Sequence, residues 1–163
     1  MITTDIAAEL QRQLQRELSS AYAYYALSIF FSSKSLDGFA IWSKAQASEE
    51  LAHADKFRSH LLERNATIDL LDIQAPQATF TNPLNAFQHA LALEEAMTES
   101  IIHLARLAEE KRDFLTRSFL NWFLEEQVEE VSQLQNICDR LSLIREETSG
   151  LLFLDHELGK VRT

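Results

Sequence analysis

The chain has 163 residues, of which only 3 are Gly and 2 are Pro. Because tight turns commonly use these two residue types, we predict a few long helices rather than an all-β fold. The length predicts one domain, 1–163. The net charge of −10 disfavours nucleic acid as a partner and suits metal cations. No apolar run is long enough to span a membrane, and an N-terminus without export features together with a single Cys predicts a cytoplasmic protein.

Apolar periodicity predicts four long helices and a short fifth, in chain order at about 4–32, 36–64, 83–112, 114–146 and 151–158. Asn82 followed by Pro83 is a typical helix start, and Ser33-Lys34-Ser35 and Thr148-Ser149-Gly150 are predicted breaks. Residues 65–82 have no helical pattern, and this segment is long enough to run the full length of a bundle. Two short-looped hairpins joined by one long crossover form the all-α, ferritin-like variant of the four-helix bundle.

Each of the four long helices has one glutamate in line with its apolar stripe when residues are placed about 100° apart. These glutamates are Glu17, Glu50, Glu94 and Glu130, with His53 to the side of Glu50 and Gln127 one turn before Glu130. Counting from the short turns places Glu17 level with Glu50 and His53, and the second hairpin is offset from the first by about one helical turn. We therefore expect these groups to converge near the middle of the bundle.

Four carboxylates in a dry core need compensation, because an unpaired buried carboxylate is costly or takes up a proton. Bound cations would provide it, and a mixed oxygen and imidazole donor set suits iron or manganese better than tetrahedral zinc. The segment Glu50-Leu51-Ala52-His53 has the Glu-x-x-His spacing of di-iron carboxylate bundles. The alternative is that the helix phasing is wrong and the glutamates are solvated.

With these residues the sequence resembles the bacterial non-haem ferritins over essentially the whole chain, from Glu17 to the closing segment 150–158. The resemblance implies that Glu17, Glu50 and His53 bind a first iron, and that Glu50, Glu94 and Glu130 bind a second, with Glu50 bridging. It also places Gln127, Tyr24 and Trp122 beside the centre, and it implies a third iron site formed by Glu49, Glu126 and Glu129. From the residues alone, Tyr24 is either a second-shell or redox group or simple packing, Trp122 is expected to fill the core, and Cys138 is expected to be an inert, small core or boundary residue.

The segment Gln127-Val128-Glu129-Glu130 departs from the symmetric di-iron pattern, which has two Glu-x-x-His motifs. Because the second metal lacks a histidine, we expect it to be held more weakly, as suits iron that enters as substrate and leaves as product. Leu51 stands where bacterioferritins have their haem-ligating methionine, so no haem is expected.

The resemblance implies a hollow homo-oligomeric shell of about 24 subunits. In it, a ferroxidase would oxidise Fe(II) with dioxygen or peroxide and store the ferric oxide mineral. The competing hypotheses are a di-iron peroxidase or oxygenase with a permanent metal cofactor, a non-catalytic shell subunit, and a smaller ferritin-like DNA-protecting protein. The missing second histidine disfavours a permanent di-iron cofactor, and the complete ligand set disfavours a non-catalytic shell subunit. The short fifth helix disfavours a DNA-protecting protein.

Overall fold

A computed structural model describes residues 2–145 and 147–160, which form five α-helices. They are α1 (Thr4–Ser33), α2 (Asp37–Glu63), α3 (Pro83–Glu110), α4 (Phe114–Ile144) and α5 (Thr148–Lys160). The first four helices form the bundle, and α5 packs mainly against α2. The predicted all-α class, with one long crossover and a short fifth helix, is confirmed.

The two hairpins lie side by side, and α2 and α3 begin at the same end of the bundle. Phe39, near the start of α2, packs its ring against Phe87, near the start of α3, with centroids 5.2 Å apart. The segment between Glu63 and Pro83 therefore returns the chain along the length of the bundle, and it is tied to α1 by hydrogen bonds such as that from Gln15 Nε2 to the Asp72 carbonyl, 3.1 Å.

The first three helices close with the same turn although the chain has almost no glycine. The residue that follows each helix cap, Ser35, Asn65 or Arg112, has a positive φ of 58°, 56° or 56°. After α1, for example, the amide N–H of Leu36 donates to the carbonyl of Phe31 at 3.0 Å. This Schellman geometry usually uses glycine. It ends α3 at Glu110 rather than at the predicted Arg112.

The segment Thr148-Ser149-Gly150 was predicted as a break, and this prediction is wrong because α5 begins at Thr148. These residues form the first turn of α5. Backbone N–H groups in a first turn have no acceptor within the helix, and Ser and Thr are common there because their side chains can accept from such groups. The helix α4 ends at Ile144, and its predicted end at Glu146 lies outside the described residues.

Two glycines allow α5 to approach α2 closely. A Cβ atom on Gly38 would lie 1.7 Å from the Asp155 carbonyl oxygen, and one on Gly159 would lie 2.9 Å from the Cα of Gly38. At this contact, Asp155 Oδ1 accepts a hydrogen bond from the Phe39 amide at 2.8 Å. Leu36, the N-cap residue of α2, provides no side-chain cap, so Asp155 caps this helix from another element.

The buried apolar side chains form two clusters, one at each end of the bundle. Tyr24 and Phe87 belong to the cluster beside α5, while Phe57 and Phe123 belong to the cluster at the opposite end. Cys138 lies in the first cluster as a free, buried thiol, as expected, and burial raises its pKa to about 11. None of the helices in the described part of the chain has the length and apolarity that a membrane span requires.

Candidate metal centre

A layer of polar side chains lies between the two apolar clusters. All six that the helical phasing placed at the core are at most 4% exposed: Glu17, Glu50, His53, Glu94, Gln127 and Glu130. The phasing is therefore correct for every one of the four helices, and the alternative of solvated glutamates is wrong. Each of the four helices brings its predicted glutamate into the interior.

Three of these residues form a compact group that could hold one metal ion. One ligand atom from each of Glu17, Glu50 and His53 lies within 4.8 Å of the others. His53 Nδ1 is 3.4 Å from Glu50 Oε1 and 3.8 Å from Glu17 Oε2. An ion about 2.1 Å from each ligand separates its ligand atoms by about 3 to 4 Å, so these spacings fit a common ion.

Glu50 is the carboxylate with the clearest need for a cation. It is 1% exposed, and neither of its oxygens has a hydrogen-bond partner within the described part of the chain. Buried polar groups are nearly always paired, and a carboxylate without partners is especially costly. Two unpaired oxygens suit a residue that bridges two ions.

Glu94 interacts electrostatically with Glu50 and is held by two other side chains. Tyr24 donates its hydroxyl to Glu94 Oε1 at 2.8 Å, and Gln127 Nε2 donates to Glu94 Oε2 at 3.1 Å. Tyr24 is itself fully buried, and burial followed by the charges of Glu94, Glu50 and Glu130 raises its pKa well above the usual value. Tyr24 thus faces the three carboxylates that were predicted to hold the second iron.

Glu130 is positioned by a residue that the sequence analysis did not single out. Gln46, fully buried on α2, donates its Nε2 to Glu130 Oε2 at 2.9 Å. Glu94 and Glu130 do not join the compact group around His53, so within the described residues only the first predicted trio is gathered at metal-binding distance.

A second missed glutamine, Gln13, contacts Glu17. It is 0% exposed and donates its Nε2 to Glu17 Oε1 at 2.8 Å. Gln13 lies four residues before Glu17, and Gln46 lies four residues before Glu50. The repeated Gln-x-x-x-Glu spacing within the apolar stripes was the signal that could have identified both residues.

Burial and mutual repulsion shift the protonation of these carboxylates. Burial, followed by the charge of Glu50, raises the pKa of Glu17 well above its usual value. The same two causes raise the pKa of Glu94 from 4.5 to about 7. The site without a cation therefore favours protons, and binding a cation releases them.

The remaining predicted residues lie at the edge of this centre. Trp122 does not fill the core as expected: it is 38% exposed, because the inward position on α4 belongs to its neighbour Phe123. The edge of Trp122 nevertheless contacts His53, with ring centroids 5.3 Å apart. Of the predicted third-site residues, Glu49 and Glu126 are half-buried and Glu129 is exposed, with Gln133 donating to its Oε1 at 3.0 Å.

Comparisons with known proteins agree with the observed fold. Residues 7–144 match the family model described as a ferritin-like domain. The chain is 35% identical to a bacterial non-heme ferritin of Staphylococcus epidermidis over 98% of this chain and 96% of that protein. A ferritin of the same name from Staphylococcus aureus is 32% identical over the same shares. Among solved structures, an open-pore ferritin from the archaeon Archaeoglobus fulgidus superposes with a TM-score of 0.97 at 37% identity, covering 98% of this chain and 99% of that one.

Proposed function

Because the chain belongs to the ferritin family, we propose that it is an iron-storage ferroxidase: it oxidises Fe(II) at the buried centre and retains the product as a ferric oxide mineral. The family supports iron storage in general, and the reaction and the residue roles are the proposal. The observation that carries it is Glu50, a buried carboxylate whose oxygens have no hydrogen-bond partner in the described part of the chain, 3.4 Å from His53 Nδ1 and close enough to raise the pKa of Glu94.

In the proposed reaction, two Fe(II) ions enter as substrate, with Glu17 and His53 holding the first, Glu94 and Glu130 the second, and Glu50 bridging them. Each Fe(II) gives up one electron; dioxygen takes up both electrons and two protons to become hydrogen peroxide. With peroxide as oxidant, the same two electrons and two protons reduce it to two molecules of water. Hard carboxylate oxygens favour Fe(III) over Fe(II), so the ligand set itself assists the oxidation.

The unequal donor sets support transient rather than permanent binding of iron. The first site has an imidazole, whereas Gln127 stands where a symmetric di-iron bundle would place a second histidine motif. The side chain of Gln127 donates to Glu94, so it acts here on a carboxylate rather than as a strong metal ligand. This favours storage over the alternative, a di-iron peroxidase or oxygenase with a permanent cofactor.

Three carboxylates at the edge of the centre are proposed as a third iron site, through which iron passes towards the mineral: Glu49, Glu126 and Glu129. Their greater exposure suits a site that exchanges ions with the surroundings. We further propose assembly into a homo-oligomeric shell of 24 subunits. We also propose a cytoplasmic location, which suits a chain with a single cysteine.

The proposed centre is tested by stopped-flow oxidation of Fe(II) in variants of its ligands. Glu50→Ala and His53→Ala should abolish the fast phase, because each removes a member of the compact group. Glu129→Ala is the matched carboxylate control, and it should keep the initial rate while slowing later turnovers. An unchanged initial rate in Glu50→Ala would mean that oxidation takes place elsewhere.

A further inference from the structure

We propose that Gln13 is a positioning residue that restricts Glu17 to binding the first metal ion through one oxygen. This inference rests on the proposed function, because it concerns how the first ion is held. Gln13 contacts no predicted ion position itself and acts through Glu17.

The two oxygens of Glu17 have different surroundings. Oε1 accepts the hydrogen bond from Gln13 Nε2 at 2.8 Å, whereas Oε2 faces His53 Nδ1 at 3.8 Å. Because Oε1 accepts from an amide donor, Oε2 is the oxygen that is free to bind an ion shared with His53. Glu17 thus offers Oε2 to the metal, and chelation through both oxygens would break a fully buried hydrogen bond.

The Gln13 amide has polar partners at both ends. Its Oε1 accepts a hydrogen bond from the Ser100 hydroxyl at 2.7 Å and a longer one from Arg16 Nη1 at 3.4 Å. Its Nε2 also points at the Met97 sulfur, 2.8 Å away. Rotating the amide by half a turn would place its carbonyl oxygen against the Glu17 carboxylate and its NH₂ group against the Arg16 guanidinium. The Ser100 hydroxyl, which also lies 2.8 Å from the Met97 carbonyl, can donate to either oxygen. The orientation with Nε2 towards Glu17 is therefore favoured mainly by the Glu17 carboxylate.

This arrangement has a chemical consequence for the first site. A carboxylate that binds through one oxygen fills one coordination position rather than two. The position that Glu17 does not fill stays open for the oxidant or for water, as a site that turns over requires. Removing Gln13 should therefore change the coordination of the ion and weaken its binding, because partners that orient metal ligands typically contribute about 10- to 100-fold in affinity.

The test uses Co(II) as an oxidation-resistant probe for Fe(II), titrated anaerobically into purified, metal-free protein. Gln13→Met keeps the shape of the side chain but removes the N–H donor. We expect it to weaken Co(II) binding at the first site by about 10- to 100-fold and to alter the ligand-field spectrum of the bound ion. A side chain that merely filled space would leave that spectrum unchanged.

Two further variants keep the test decisive if Gln13→Met folds poorly. Ser100→Ala removes the hydroxyl that donates to the amide oxygen of Gln13 without touching a carboxylate, and it should produce the same spectral change with a smaller loss of affinity. Gln15→Met is the matched control, since Gln15 lies on the same helix but donates to the crossover at Asp72. It should behave as wild type.

The outcomes separate the two levels of the proposal. If wild-type protein bound Co(II) and both Gln13→Met and Ser100→Ala gave the wild-type spectrum and affinity, the positioning role would be overturned while the metal centre stood. If the wild-type protein bound no Co(II) at all, the metal centre itself would be overturned, and the role of Gln13 with it.

Discussion

The pKa of Glu94 predicts a pH dependence of stability in the metal-free protein that one substitution should remove. Burial and the charge of Glu50 raise this pKa from 4.5 to about 7. Each pKa unit corresponds to about 1.4 kcal/mol, so the folded state favours the protonated carboxyl by about 3 kcal/mol. The folded protein therefore binds more protons than the unfolded chain between pH 4.5 and 7, and its free energy of unfolding falls as the pH rises through this range.

Glu94→Gln cannot ionise, so its free energy of unfolding should gain about 3 kcal/mol relative to wild type as the pH rises from below 4.5 to above 7. The glutamine keeps one oxygen that can accept from Tyr24 or Gln127, and replacing the other oxygen by an NH₂ group adds a cost that does not depend on the pH. The charge of Glu94 also raises the pKa of Glu17. Removing that charge therefore increases, in the same way, the gain in unfolding free energy that Glu94→Gln shows as the pH rises.

The assay is urea unfolding of chelator-treated protein at a series of pH values and one protein concentration. Glu95→Gln, at an exposed position on the same helix, is the control and should show a constant difference from wild type. A difference between Glu94→Gln and wild type that did not change with pH would refute the reasoning, because it would mean that the buried carboxyl is not protonated on folding.

Two further predictions concern helix packing and helix ends. Gly38→Ala places a Cβ atom 1.7 Å from the Asp155 carbonyl, so α5 must move, and we expect a loss of about 1 to 3 kcal/mol, measured as a lower melting temperature. Gly150→Ala, whose Cβ would first meet the Ile144 side chain at 3.0 Å, is the milder comparison, and equal melting of the two variants would contradict this account. Arg112 has a φ of 56°, and because left-handed backbone costs most residues about 1 to 2 kcal/mol, Arg112→Gly should stabilise the protein by about 0.5 to 1 kcal/mol. Chemical denaturation measures this gain, and a loss of stability would count against it.

The helices and the inward glutamates could be predicted because both depend on the periodicity of the chain. The row Leu10, Leu14, Glu17 and Tyr24 places a carboxylate in an apolar stripe, and all four residues are buried. The sequence predicts that Glu94 lies about one helical turn out of level with Glu50. The two are still close enough for the charge of Glu50 to raise the pKa of Glu94. The inward positions could be predicted because every residue of a regular helix is rotated by about 100° from the one before it.

Contacts between distant elements could not be predicted in the same way. Gln13 and Gln46 each lie four residues before a predicted ligand, Glu17 and Glu50. Gln46 nevertheless donates its hydrogen bond to Glu130 on α4, which the spacing does not predict. The packing of Gly38 against α5 depends on where a later helix docks, and the sequence has no local feature that reports it. The break predicted at Thr148-Ser149-Gly150 failed because residues that favour turns also favour the first turn of a helix.

The most direct test of the central claim is aerobic addition of Fe(II) to the purified wild-type protein, followed by size separation and measurement of iron per chain. A storage ferroxidase should retain far more iron than its ligands can bind, co-eluting with a large shell. Saturation at about two irons per chain in a small oligomer would instead be the behaviour of a permanent di-iron cofactor, and it would contradict the account.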